Sequence, residues 1–154
     1  MPKTRIKLKE KIHYHITNRG LAKRKIFYKE EDYEWFIDKI NKFKLKYNID
    51  IICYCLMPNH FHMIIKPDSI NAVKFLKSIQ ASYSIHFNKK WNRKGQLFQG
   101  RYHANPINDQ EQLINTIKYI IDNPVRAGLV KKAEDWPYSS VNLPKKIRNF
   151  SPTC

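Results

Sequence analysis

His60 and His62 stand on either side of Phe61 in the run MPNHFHMII. On a strand, successive side chains point to opposite faces. Both imidazoles would therefore project from one face, roughly 7 Å apart along the chain, while Phe61, Met63 and Ile65 face the core. Two imidazoles on one face can hold one divalent cation. His13 and His15 repeat the spacing, and spacing alone does not decide which pair does so. A second candidate lies in the segment 109–122. Leu113, Ile114, Ile117, Ile120 and Ile121 form an apolar stripe at helical period, and Tyr119 falls nearly opposite its middle. A core tyrosine belongs with the isoleucines; this phenol shares a polar face with Gln112, Asn115, Thr116 and Asn123, a placement that suits either an ordinary exposed tyrosine or a functional one. Asn123 follows Tyr119 by four residues and so lies on the same face. Its carbonyl oxygen is a candidate third metal ligand, although the position before Pro124 also suits a helix C-terminus.

The charge balance points to a polyanion. The chain of 154 residues carries 29 Lys and Arg against 13 Asp and Glu, a net charge of +16. Such an excess suits nucleic acid or an anionic membrane. From Ser69 to Asn108 there is no acidic residue, and Lys74, Lys77, Lys89, Lys90, Arg93, Lys94 and Arg101 alternate with Phe75, Tyr83, Phe87, Trp91, Phe98 and Tyr102. Cations of this kind follow phosphates, and aromatic faces stack on unpaired bases; Tyr83 and Phe87, four apart on a helix, are expected in the core instead. No apolar run is long enough to span a bilayer, and the basic N-terminus lacks an apolar signal core. Cys53, Cys55 and Cys154 make no disulfide framework. Cys53 and Cys55, two apart on a strand, are badly placed to bridge each other, which suggests reduced thiols and a cytoplasmic protein.

These residues need a scaffold. The length, with 42% hydrophobic residues, suits a single domain with a real core, here taken as 1–154 with the core at about 12–141, a basic tail over the first eight residues and a loop-rich C-terminus. Residues 11–18 alternate as a half-buried strand ended by Arg19-Gly20, and a basic loop with Lys23, Arg24 and Lys25 follows. The apolar positions Tyr33, Phe36, Ile37, Ile40, Phe43 and Tyr47 predict a helix over 30–47. Residues 49–57 read as a strand, Pro58-Asn59 as a turn, and 61–66 as the next strand, closed by Pro67. Ser69 would cap a helix to about Lys90, 97–107 would be a fourth, irregular strand, and 109–122 a third helix. The first six elements make a ferredoxin-like βαββαβ unit in the α+β class, with the additional C-terminal helix carrying Tyr119. Its antiparallel sheet would bury one face under two helices and leave the histidine face open.

Taken in order, YHITNRG at 14–20, MPNHFHMII at 57–65, GQLFQGRY at 95–102, YIIDNPVRAGLV at 119–130 and DWPYSS at 135–140 resemble successive blocks of the HUH (His-hydrophobic-His) single-strand transposases. The group they are most similar to is the REP-associated tyrosine transposases, relatives of single-tyrosine insertion-sequence transposases. The resemblance covers about residues 12–141. It implies that His60 and His62, rather than His13 and His15, are metal ligands, that Asn123 is the third, and that Tyr119 is the nucleophile. Gln holds the third-ligand place in some relatives. The implied cofactor is Mg²⁺ or Mn²⁺; histidine ligands favour Mn²⁺, because Mg²⁺ prefers oxygen.

The implied activity is cleavage and rejoining of single-stranded DNA near hairpins through a 5′-phosphotyrosine link, in a bacterial, nucleoid-associated monomer or homodimer. Arg19, Lys23, Lys94 and Arg101 flank the family blocks and are the expected DNA contacts. The rival expectations are a non-catalytic nucleic-acid-binding module, a domesticated transposase kept as a DNA-binding regulator, and a different HUH enzyme such as a replication initiator or relaxase. A binding module of the RNA-recognition kind needs aromatic residues on its exposed sheet face, whereas here Tyr14 is expected inward and the histidines outward.

Overall fold

The pattern of alternating and helical periods is realised almost element by element in the computed structural model, which describes residues 8–68 and 71–140. The strand β1 (His13–Arg19) is followed by the helix α1 (Glu30–Lys46) and the strands β2 (Ile49–Met57) and β3 (His60–Pro67). Then come the helix α2 (Ala72–Lys90), the strand β4 (His103–Ile107) and the helices α3 (Gln110–Ile121) and α4 (Asn123–Arg126). The four strands form one antiparallel sheet in the order β2-β3-β1-β4. The fold is α+β, with the expected βαββαβ order of elements.

Alternation decides what each sheet face does. Tyr14 and Ile16 of β1 line up with Ile65 and Met63 of β3, and with Phe61, Leu56 and Ala104 they form one apolar face. Against it pack Tyr33, Phe36 and Ile40 of α1, and Phe75, Leu76, Ile79, Tyr83 and Phe87 of α2. Fully burying each such side chain contributes about 1.5–3 kcal/mol. The helix α1 begins where it does because Asp32, in its first turn, accepts the N–H groups of Tyr28 and Lys29, both at 2.9 Å. Its carboxylate also takes Lys90 Nζ at 2.9 Å and the Trp91 indole N–H, which ties the start of α1 to the end of α2.

The opposite face is not open, and this corrects the sequence expectation. Cys53, Cys55 and Met57 of β2, Ile64 of β3 and Ile107 of β4 project there, and Leu113, Ile117 and Ile120 of α3 bury them. Three further expectations change. The fourth strand is confined to 103–107; upstream of it, Phe98 makes only an isolated bridge to Gly20. Pro124 does not end the helical path but opens α4, directly after α3. Leu8, expected in a tail, is buried in the core, while residues 1–7, Ser69 with its expected cap, and Cys154 lie outside the described residues.

The chain closes along the outer edge of β2. Trp136 Nε1 donates to Leu56 O at 2.9 Å, Leu56 N donates to Tyr138 O at 2.9 Å, and Tyr138 stacks on Tyr33 with centroids 3.9 Å apart. Pairing of this kind satisfies backbone groups that an exposed edge would leave to another chain.

Candidate active site and DNA interface

The histidine of β3 that faces α3 is the centre of the site. In the sheet, His62 stands opposite Thr17 of β1 and Cys55 of β2, and His60 stands opposite Arg19 and Met57. Both histidines therefore leave the sheet on the α3 side, as alternation requires. Their ring centroids are 5.0 Å apart and nearly perpendicular, at 87°.

The helix α3 supplies the phenol. Asp109 caps it by accepting the Gln112 N–H at 2.8 Å, and its stripe of Leu113, Ile117 and Ile120 lies down on the sheet. That docking turns Tyr119 to the rim of the interface. The residue is 52% exposed, yet its ring centroid is 6.0 Å from that of His62, edge to face at 88°. One turn on, Asn123 Nδ2 lies 2.7 Å from His62 Nε2. The structure thus brings Tyr119, Asn123, His62 and His60 together around one imidazole.

Two further residues belong to the group. His15 Nε2 lies 3.0 Å from His62 Nδ1, with the rings stacked at 5.2 Å. The first-strand pair is therefore split: His15 joins the site, whereas His13 is set among Lys66 and Asp50. Arg126 of α4 holds its guanidinium 4.0 Å from the Tyr119 ring centre and donates to Tyr119 O at 2.6 Å. Sequence reasoning did not single out Arg126; its spacing of seven from Tyr119, two helical turns, was the available signal.

The imidazoles are neutral. Burial pushes His62 down to about 3, helped by the like charges of His60, His15 and Arg126, and burial lowers His60 and His15 as well. Neutral imidazoles present lone pairs, as a divalent cation requires. Asn123 adds an amide whose oxygen replaces its nitrogen at the same spot by a half-turn of the side chain. Among the described residues no group of three or more His, Cys, Asp and Glu is placed to hold a metal ion; the side chains here that could offer donors to one are His60, His62 and the Asn123 amide. A cleft of about 570 Å³ adjoins the phenol, lined by His15, Asp109, Glu111, Gln112, Asn115, Thr116 and Tyr119.

The four cations expected at DNA surround one end of the sheet. Gly20 N donates to Asn59 O, Leu21 N to Leu97 O and Gln99 N to Arg19 O. These bonds draw the loop after β1 and the segment 97–99 to the β2–β3 turn that carries His60. Arg19, Lys23, Lys94 and Arg101 are all exposed. Of the aromatics interleaved with these cations, Tyr83 and Phe87 lie in the core as expected, Phe75 and Phe98 are buried as well, and Trp91 and Tyr102 are partly exposed.

This α+β scaffold gathers a phenol, two imidazoles and a basic rim, and comparison with known proteins makes its class specific. The profile of the IS200-like transposases matches residues 8–123, and the chain belongs to that family. Within it, the chain is similar to a protein of Haemophilus influenzae (strain ATCC 51907 / DSM 11121 / KW20 / Rd) assigned as a REP-associated tyrosine transposase. The two are 26% identical over 153 residues, covering 88% of this chain and 87% of the relative. The fold matches that of a REP-associated tyrosine transposase solved bound to a REP hairpin, with a TM-score of 0.74 at 20% identity over 99% of this chain and 90% of the other. It also matches a protein of Deinococcus radiodurans R1 assigned as a transposase, with a TM-score of 0.51 at 14% identity over 80% and 97% of the two chains. Among the described residues no helix is long and apolar enough to cross a membrane.

Proposed function

We propose that this chain cuts and rejoins single-stranded DNA beside a hairpin, with Tyr119 as nucleophile and a divalent cation, Mg²⁺ or Mn²⁺, held by His60, His62 and Asn123. The observation that carries the reading is the position of His62, with the Tyr119 ring centred 6.0 Å away, the Asn123 amide at 2.7 Å and the His60 ring at 5.0 Å. The cation, when bound, supplies Lewis-acid polarisation of the scissile phosphate.

The protein's own groups do the rest. The Tyr119 oxygen attacks phosphorus as its proton is lost to solvent. The bond from phosphorus to the 3′-oxygen breaks, and that oxygen takes up a proton to become a free 3′-OH, leaving a 5′-phosphotyrosine. Attack by another 3′-OH reverses the step and releases the phenol, so strand transfer consumes no nucleotide. The rim position of Tyr119 suits this role, because a DNA phosphate can reach a half-exposed phenol but not a core one. Arg126, stacked on the ring, is a cation at the nucleophile. Arg19, Lys23, Lys94 and Arg101 hold the flanking phosphates, and DNA affinity should therefore fall with salt. The REP hairpin bound by the solved relative makes a hairpin with a single-stranded flank the substrate to test first. The buried aromatics weigh against a purely stacking-based binding module.

The deciding experiment incubates the purified chain with hairpin-bearing single-stranded DNA and Mn²⁺, and resolves the products on a denaturing gel. A covalent protein–DNA adduct is expected, lost with EDTA and lost in Tyr119→Phe. An adduct that persists in Tyr119→Phe would assign the nucleophile to another residue. Hairpin binding with no adduct under any condition would leave a DNA-binding regulator.

A further inference from the structure

We infer that His15 is a positioning residue for the metal site: by accepting the Nδ1–H of His62 it fixes the tautomer in which His62 Nε2 keeps its lone pair for the cation. The inference rests on reading His62 as a metal ligand.

The two nitrogens of His62 are not equivalent. Nδ1 faces His15 Nε2 at 3.0 Å, across rings stacked at 23°, in a part of the sheet covered by α3. Nε2 faces the Asn123 amide at 2.7 Å, on the side where Tyr119 stands. Only Nε2 can therefore meet a cation that also meets Asn123. A neutral imidazole carries a single ring proton, so a bare Nε2 requires a protonated Nδ1. That proton lies in a site with 7% of the residue exposed and needs an acceptor, because an unpaired buried donor costs about 1–3 kcal/mol. The acceptor present is His15 Nε2, which must be unprotonated, so His15 carries its own proton on Nδ1. A ligating imidazole held by an acceptor on its other nitrogen is a general device, and loss of the acceptor typically weakens metal binding by 10–100-fold.

Sheet geometry explains why a histidine can do this from β1. His62 stands directly opposite Thr17, and His15 lies one pleat further along the same strand. This diagonal relation keeps the two side chains on one face within reach of each other.

The experiment uses the full chain and two measurements. In metal-free protein labelled with ¹⁵N-histidine, long-range ¹H–¹⁵N spectra read the tautomer of each ring, with His62→Gln assigning the signals. The Nδ1–H form is expected for His62, becoming mixed or Nε2–H in His15→Ala. Mn²⁺ titration followed by electron paramagnetic resonance should then show at least a tenfold weaker site in His15→Ala. His15→Gln, which restores an acceptor oxygen, should recover most of the affinity. A wild-type His62 in the Nε2–H form overturns the inference, as does a His15→Ala chain with unchanged tautomer and unchanged affinity. If wild-type chain takes up no Mn²⁺, the metal-ligand reading fails by itself, and the inference, which depends on it, is overturned with it. Wild-type uptake with no effect of His15→Ala removes only the role of His15.

Discussion

Burial of His62 should make the metal-free protein lose stability as pH falls below about 6.5, well above the pH at which its carboxylates titrate. The imidazole is buried, with one nitrogen at His15 and the other at Asn123, and its folded pKa is pushed from 6.5 down to about 3. The unfolded chain binds this proton more readily than the native one, so stability rises with pH between about 3 and 6.5 and falls as pH drops through that window. Lowering the pH from 6.5 to 5 spans 1.5 units, and at 1.36 kcal/mol per unit His62 alone removes about 2 kcal/mol. For a chain of this size that is a fall of about 4–8 °C in thermal midpoint. The assay is thermal unfolding by circular dichroism in EDTA at pH 7.5 and pH 5, on wild type and on His62→Gln. The neutral amide cannot take up the proton, so the variant should show a shallower pH dependence by about that amount. Excess Mn²⁺ at pH 7.5 should raise the wild-type midpoint and leave the variant unmoved, because a ligand of the native state alone stabilises it. Equal pH dependence in the two proteins would refute the argument that burial holds this imidazole neutral.

Arg126→Ala removes the guanidinium from the Tyr119 ring and from its carbonyl oxygen. Adduct formation should slow about tenfold through loss of orientation, while the partly exposed contact contributes only about 1 kcal/mol to stability; single-turnover gels and thermal melts separate the two effects. Gly20→Ala would place a Cβ 2.1 Å from Arg24 O and 3.0 Å from Ile26 Cγ2. It should cost about 3 kcal/mol in urea unfolding and weaken hairpin binding by shifting the loop that carries Lys23. Asp32→Asn should cost about 2–3 kcal/mol at pH 7, because it removes the charge that faces Lys90 and the first N–H groups of α1. Burial alone would raise the Asp32 carboxyl, but Lys90, the two backbone donors and Trp91 more than offset this and hold it below its usual value. Its stabilisation is present above pH about 4 and is lost as pH falls through the lowered value, so urea titrations at pH 7 and pH 3 should differ less for the variant than for wild type.

Much of this architecture is legible residue by residue. Alternation at Tyr14, Ile16, Phe61, Met63 and Ile65 sets the core face of two strands, and helical spacing at Phe36, Ile40, Leu76, Ile79 and Tyr83 sets the faces that cover it. The short reach of β4 was not legible. Leu97 and Gln99 are held by backbone bonds to Leu21 and Arg19, and such bonds leave no mark on side-chain periodicity. The cover over the histidine face did leave a mark. The run CYCLM at 53–57 is apolar at every position, which suits a strand buried on both sides, and an open face would have called for polar residues at 53, 55 and 57.

The sequence by itself determined which side chains share a face: His60 with His62 by the strand's period of two, and Tyr119 with Asn123 by the helix's turn of 3.6 residues. These are local relations, set by backbone geometry within a single element. Only the tertiary structure decided that the two faces meet, because the stripe of α3 carries no record of which apolar surface it will bury. The packing of Leu113, Ile117 and Ile120 on Cys53, Cys55 and Ile64 sets the phenol and the amide against His62. The same sheet pairing brings His15 in beside it, a contact between strands 47 residues apart that no spacing within either strand contains.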